Sequence, residues 1–282
     1  MIRLFVPGKL QDGETIGLGP EQSHYLRDVM RRNVGDEVEL FNERDGAWRA
    51  IVAAVDRRSV SLTPRGRTRA FTPGPDLELI VAPIKRPRLE SVVEKATELG
   101  VRRIRLAITR FTQGDRVKLE RLEAIAVEAA EQTGRLDVPE IVGPEKLDAI
   151  LNAWGERQLI FCDEGGDARP MLESLLPLRE KVASEGGRMR GRAEPSTAGV
   201  GQTGEPGATP HPSASPPPSP TRGEGTSILI GPEGGFSAEE RGRLRALPFV
   251  IPVSLGPRIL RADTAAMAAL VLWQSALGDW SP

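Results

Sequence analysis

The sequence predicts an α/β protein in which a small β-rich module precedes a larger, mostly parallel sheet covered by helices. Two observations carry that reading. Over residues 1–72 short β-favouring runs follow one another with one helical interruption; beyond the turn-rich Phe71-Thr72-Pro73-Gly74-Pro75, apolar strands alternate with amphipathic helices. Such alternation marks βαβ units, because each parallel strand needs a crossover before the next. The expected domains are 1–72 and 73–282.

In the first module, residues 3–6, 37–42, 47–55 and 59–63 read as strands, with an Asp45-Gly46 hairpin signal between the second and third. A helix is expected over 21–32 with Tyr25, Leu26, Val29 and Met30 on one face. A small barrel crossed by one helix fits this order, and such barrels often bind RNA. In the second region a strand over 77–82 leads to a helix striped by Leu89, Val92, Val93, Ala96 and Leu99, stopping at Gly100. A strand over 103–108 leads to a helix over 118–133, with Leu119, Leu122, Ile125, Ala126 and Ala129 inward and Gly134 as its stop. Further strands are expected at 158–162, 227–230 and 249–253, with helices starting near Pro170 and Ser237. A last helix over 262–277 is apolar on most sides, which predicts deep burial.

Composition narrows the function. One cysteine cannot form an internal disulfide, and two histidines leave no zinc or iron site of the usual ligand number, so no metal is expected. A reducing cytoplasm is the expected setting. The start, MIRLFVPGKLQDGE, has no long apolar core, and the longest apolar stretch, 265–273, is about half of the roughly 20 residues a membrane span needs. Of the 24 prolines and 30 glycines, 8 and 9 fall within 186–226, a stretch with no aromatic residue. Such a segment buries too little apolar surface to offset its ordering entropy, so it is expected to be a disordered insert carrying His211. The net charge of −1 also conceals contrast: 83–121 holds 11 basic and 5 acidic residues, 123–167 holds 3 and 11. Arg57, Arg58, Arg65, Arg67 and Arg69 form a run without acidic residues, read either as a solvated face or as a surface tracking phosphates.

Three segments at strand-to-helix transitions could carry chemistry. In Ile228-Leu229-Ile230-Gly231-Pro232-Glu233-Gly234-Gly235-Phe236-Ser237 an apolar strand meets a glycine-rich turn, and Ser237 with Glu240 has capping-box spacing. The glycines suit either a tight turn or close approach of a ligand to backbone; neither nucleotide-binding fingerprint is matched. In Ser254-Leu255-Gly256-Pro257-Arg258-Ile259-Leu260-Arg261-Ala262-Asp263 two arginines flank an apolar pair before an acid at a helix start. Asp263 there suits a helix cap equally well. In Glu131-Gln132-Thr133-Gly134-Arg135 a glycine stop explains Gly134 but not the polar cluster around it. No G-x-S-x-G is present, His24 lies in the other module, and Cys162 reads as core.

These residues carry a resemblance. IGPEGGFS and SLGPRILRADTA, with KATELGV at 95–101 and EAAEQTGR at 128–135, resemble the bacterial small-subunit rRNA methyltransferase E family of the SPOUT superfamily. SHYLRDVMR and VGDEVELF are similar to that family's PUA-like domain, so the resemblance spans nearly the whole chain outside 186–226. It implies a SPOUT-type α/β methyltransferase domain with a trefoil knot, behind a PUA-like barrel. It also implies methyl transfer from S-adenosylmethionine to N3 of a uridine in 16S rRNA, free or within the small ribosomal subunit, by a homodimer. The knot loops correspond to 230–235 and 255–260, so Ile230, Gly231, Glu233, Gly234, Gly235, Leu255, Gly256, Ile259 and Leu260 are the expected cofactor residues. Asp263 stands where the family usually has Glu, and the insert precedes the strand entering the first loop.

N3 of uridine is a weak acid, protonated at neutral pH, so transfer needs its anion favoured and its proton accepted. Arg258 or Arg261 is expected in the first role, and Glu131, Glu233 or Asp263 in the second. His24, Arg27, Arg31, Arg65, Arg67, Arg69 and Arg135 are the expected RNA contacts. N3 lies on the pairing edge, so the substrate base must be unpaired or flipped. The competing expectation is a non-catalytic RNA-binding or ribosome-assembly factor with the same fold.

Overall fold

The β-favouring runs assemble into two separate sheets. The structure, a computed structural model, describes residues 1–113, 117–165, 167–178 and 225–280. The first sheet joins β1 (Arg3–Phe5), β2 (Ile16–Gly17), β3 (Glu37–Asn42), β4 (Gly46–Val55) and β5 (Val60–Arg69) in the spatial order β1-β3-β4-β5-β2. β1 runs parallel to β3; the other pairs are antiparallel. Leu4, Val6, Leu26, Val38, Leu40, Val52, Val60 and Leu62 pack inside this curled sheet. The β3–β4 turn is the expected Asp-Gly hairpin: Asn42 pairs with Gly46, whose φ is +81°.

The helix expected over 21–32 is shorter and wider than its pattern implied. α1 (Pro20–His24) starts on Pro20 and opens into a π-helical turn over Tyr25–Val29, closed by the Met30 N–H donating to the Tyr25 carbonyl. The wider turn carries Val29 off the apolar face, leaving it 58% exposed while Leu26 is fully buried. Arg31, at φ +50°, ends the segment. β5 runs six residues past its expected end, because 64–69 still pair with Ala47–Ala50 of β4 through bulges.

The second sheet is wholly parallel. Its strands are β6 (Leu77–Val81), β7 (Arg103–Ile108), β8 (Glu140–Lys146), β9 (Gln158–Cys162), β10 (Arg169–Pro170), β11 (Thr226–Ile230) and β12 (Val250–Ser254), in the order β10-β12-β9-β11-β6-β7-β8. The helices are α2 (Arg86–Glu98), α3 (Leu119–Thr133), α4 (Leu147–Asn152), α5 (171–178), α6 (Ala238–Ala246) and α7 (Ala262–Ala276). Strand side chains alternate between two cores. Leu77, Leu79, Val81, Ile228 and Ile230 meet α2, α3 and α7, whereas Ile80 and Leu229 share a core with Leu147, Ile150 and Leu244 from α4 and α6. Glu78 is buried in this sheet and is compensated by Arg105 at 3.0 Å and the Ser227 hydroxyl at 2.6 Å.

Three expectations change. β8 and α4 were not foreseen; β8 holds Gly143-Pro144, which reads as a turn, yet at a sheet edge proline removes no needed donor. The 186–226 insert falls outside the described residues up to 224, and its last residue is corrected: Thr226 opens β11, its N–H donating to the Asp76 carbonyl. Finally, α7 is not deeply buried all round. Ala262, Ala266, Ala269, Leu270 and Trp273 face inward, but Val271 is 39% exposed and Ala265, Met267, Ala268 and Leu272 are only half covered. No helix among the described residues is long and apolar enough to cross a membrane.

Candidate active site

In a parallel sheet every strand points its carboxyl end to one edge, and ligands collect there. β9 lies between β11 and β12, so the loops leaving those two strands flank the turn that follows β9. The first loop carries Gly231, Glu233, Gly234 and Gly235; the second carries Leu255, Gly256, Arg258, Ile259, Leu260 and Arg261, with Asp263 in the first turn of α7. Sequence reasoning therefore put these residues at one edge of one sheet.

The glycines divide in kind. A Cβ on Gly231 would meet the Phe236 ring at 2.6 Å, one on Gly234 would meet Phe111 Cβ at 3.1 Å, and one on Gly235 would stand 1.7 Å from Glu164 Oε1. Protein neighbours crowd all three, most closely at Gly231, and Gly235 adds a φ of +67° with its N–H closing a tight turn on the Pro232 carbonyl. Gly256 differs: its φ is +116°, and no atom lies within 4 Å of where a Cβ would sit. Its N–H donates to the Ser254 hydroxyl at 3.2 Å, while the side where a Cβ would stand is open to the close approach of a ligand. Phe236 fixes the first loop by packing edge-on to Phe161, centroids 5.0 Å apart. The expected capping box starts α6: Ser237 Oγ accepts from the Glu240 N–H, and Glu240 accepts from the Ser237 N–H.

Arg258 and Arg261 are exposed and make no ion pair among the described residues, so both guanidiniums are free for a ligand. Ile259 between them is 86% exposed. Among the described residues Asp263 accepts only the adjacent Thr264 N–H, at 3.0 Å. Glu233 is engaged by Arg88 of α2 at 3.3 Å.

The turn after β9 was missed by sequence reasoning, although its strand-then-Gly-Gly pattern, Cys162-Asp163-Glu164-Gly165-Gly166, was the available signal. Asp163 is buried, paired with Arg241 at 2.9 Å and Arg245 at 2.6 Å. Glu164 accepts from the Phe236 N–H at 3.3 Å; desolvation and the neighbouring Asp163 push its pKa upward. Burial also raises the Cys162 thiol to about 12, which fits the core role expected for it.

Glu131 is not brought to these loops within one chain. α3 runs antiparallel to the strands, so its carboxyl end reaches the opposite edge of the sheet. There Glu131 accepts from the Phe5 N–H at 2.9 Å. Arg3 donates to the Ala130, Glu131 and Arg135 carbonyls and to Glu39, lying 4.3 Å over the Phe41 ring. Arg135 likewise faces inward, donating to the Thr97 and Val101 carbonyls and pairing with Asp137. The polar cluster at 131–135 thus fastens the two sheets together, over an apolar seam of Phe41, Ala47, Ala130 and Leu136.

The other expected RNA contacts are also mixed. Arg27 is spent on Asp28 and on the Asp56 and Arg57 carbonyls, and His24 Nδ1 lies 2.6 Å from Asp28 Oδ2. Arg69 donates to the Gly134 carbonyl. Arg31, Arg65 and Arg67 are exposed and without an ion pair among the described residues. No cluster of three metal-ligating side chains occurs among the described residues.

A parallel α/β sheet with paired loops at its carboxyl edge, fastened to a small curled sheet bearing free arginines, defines a two-domain enzyme of the RNA-modifying kind. The chain belongs to the RNA methyltransferase domain family, whose model matches residues 72–187 and 208–274; the RNA methyltransferase PUA domain model matches 18–65. It is 27% identical over 269 residues to the Ribosomal RNA small subunit methyltransferase E of Rickettsia conorii, covering 95% of this chain and 93% of that one. It is 25% identical to the protein of that name from Bacillus subtilis, covering 93% and 90%. Among solved structures, a putative methyltransferase from Legionella pneumophila in complex with S-adenosylmethionine superposes with a TM-score of 0.74, at 27% identity and 99% and 98% coverage. The fold is shared with a Ribosomal RNA small subunit methyltransferase E from Neisseria gonorrhoeae, bound to S-adenosylmethionine, at a TM-score of 0.73 and 20% identity over both full chains.

Proposed function

We propose that this protein transfers a methyl group from S-adenosylmethionine to N3 of a uridine in 16S rRNA, acting as a cytoplasmic homodimer. The observation that carries this is the pair of loops flanking β9, one with open space beside Gly256 and two arginines without an ion pair among the described residues, in a chain of the RNA methyltransferase family. The half-covered apolar side of α7 supports a second copy of the chain, and β11 and β12 on either side of β9 support a knotted path.

The residues present fit the cofactor. Gly256 holds a φ of +116° with open space where a Cβ would sit, so a ligand can come close to the chain there, and Leu255, Ile259 and Leu260 of the same loop are partly or fully exposed for apolar contact, with Ile230 at the end of the strand that enters the facing loop. Gly231, Glu233, Gly234 and Gly235 shape the facing loop. The cofactor supplies an electrophilic methyl on a sulfonium. Everything else falls to the chain: the loops hold donor and base in line, and that orientation contributes much of the rate.

Arg258 or Arg261 stabilises the negative charge that spreads over the uracil carbonyls as N3 loses its proton. Asp263, two residues beyond Arg261 and free of any cation, is the proton acceptor at this edge; Glu233 is held by Arg88, and Glu131 serves the seam. Arg31, Arg65 and Arg67 anchor flanking RNA. Arg261→Ala is expected to slow methylation about a hundredfold while cofactor affinity stays within about twofold. An unchanged rate with normal binding would remove the arginine from the mechanism.

A further inference from the structure

We infer that Glu164 supplies the negative wall that makes this site prefer a cationic ligand, S-adenosylmethionine, over its neutral product S-adenosylhomocysteine. The inference rests on the methyltransferase reading and deepens it by assigning a specificity role to a residue outside the two loops. Three observations lead to it.

The first is placement. β9 separates β11 from β12, so a ligand reaching from Gly235 to Gly256 crosses the end of β9, where Glu164 stands. Glu164 Oε1 is against the first loop, 3.3 Å from the Phe236 nitrogen and 1.7 Å from the position a Gly235 Cβ would take.

The second is charge. The charged groups that bear on Glu164 are Asp163 on its own turn and Arg241 of α6, with Arg245 and Asp167 bonded in the same network; the first loop meets it through the Phe236 N–H, and the second loop brings Arg258 and Arg261 to the same edge of the sheet. Arg241 and Arg245 are both bonded to Asp163 and Asp167, so three carboxylates face two guanidiniums. Glu164 itself has no ion pair among the described residues, and Arg241, the cation that bears on it, is shared with Asp163 and Asp167.

The third is desolvation. Glu164 is exposed as a residue, yet partial burial of its carboxyl, with Asp163 beside it, still disfavours the ionised form, and a cation arriving at the site offsets that cost. The two ligands share adenosine and amino-acid groups and differ in formal charge only at sulfur. A fixed carboxylate therefore discriminates between them, whereas hydrogen bonds to the shared groups do not. After transfer the positive charge is gone, and the same carboxylate no longer retains the product.

A brace for the first loop is the competing role, because Glu164 accepts from Phe236. Glu164→Gln separates the two, since it keeps an acceptor oxygen and removes the charge. Isothermal titration of the full-length wild type and of Glu164→Gln with each ligand is the test. The expected result is a three- to tenfold weaker S-adenosylmethionine affinity in Glu164→Gln with S-adenosylhomocysteine affinity unchanged, about what one partly solvated charge pair provides. In mildly acidic buffer, wild-type S-adenosylmethionine binding is expected to release protons, and Glu164→Gln to release none. Equal weakening of both ligands, or no weakening of either, would overturn the inference while leaving the methyltransferase reading intact. A wild-type protein that binds neither ligand would overturn that reading itself.

Discussion

A carboxylate near a helix end serves as base, cap or fastener according to what surrounds it, and within one chain Glu131 stands in the seam between the two sheets. Its oxygen is taken by the Phe5 N–H, and burial raises its pKa above the usual carboxylate range. A raised carboxyl pKa means that the folded protein binds its proton more readily than the unfolded chain does. Glu131 therefore costs stability progressively as pH rises above the ordinary range, and acid protonation relieves that cost. Glu131→Gln keeps the acceptor without the charge, so it should retain methylation and melt within about 1 kcal/mol of wild type at neutral pH, with less pH dependence. Near-complete loss of turnover with normal melting would restore Glu131 as the proton acceptor. The glycines follow the same logic: Gly231, Gly234 and Gly235 look alike in sequence to Gly256, yet neighbours in the fold crowd the first three while the place of a Cβ on the last is open.

Among elements, the long exposed end of β5 explains the acid-free arginine run. Its residues 64–69 remain paired through bulges, which keeps Arg65 and Arg67 on an ordered surface while Arg69 reaches the Gly134 carbonyl. Replacing Arg65, Arg67 and Arg69 together by alanine should weaken RNA binding without changing cofactor affinity, and should flatten the dependence on salt. If two guanidiniums contact phosphate, the slope of log affinity on log salt falls by about 1.4 to 1.8. Unchanged RNA binding would place the RNA elsewhere. The strands and helices of the parallel sheet were legible because apolar period and glycine stops agree there, as in α2 ending at Gly100 and α3 at Gly134. The turn over Tyr25–Val29 was not, because an apolar stripe at helical spacing does not reveal a π turn. Nor was β8, whose Gly-Pro pair breaks its alternation.

Across the whole molecule, the candidate site was half legible. Local patterns located the two loops, because strand, glycine turn and helix cap are neighbours in sequence. The seam was hidden, because Arg3 meets residues 130–135 only through the fold, more than 120 residues away. The same distance effect concealed Glu164 beneath Gly235. Residues 188–207, which the family match passes over, are expected to be dispensable: their removal should leave methylation within about twofold, since the family model does not require them and the entropy of closing a loop changes slowly with its length. A large loss of activity would assign that stretch a role.

The central claim is the position of the methyl group. Mass spectrometry of nucleosides and fragments from 16S rRNA should find one N3-methyluridine missing from cells lacking this gene and restored by the wild-type protein, but not by Arg261→Ala. An N3-methyluridine that persists without the gene, or a different missing modification, would contradict it.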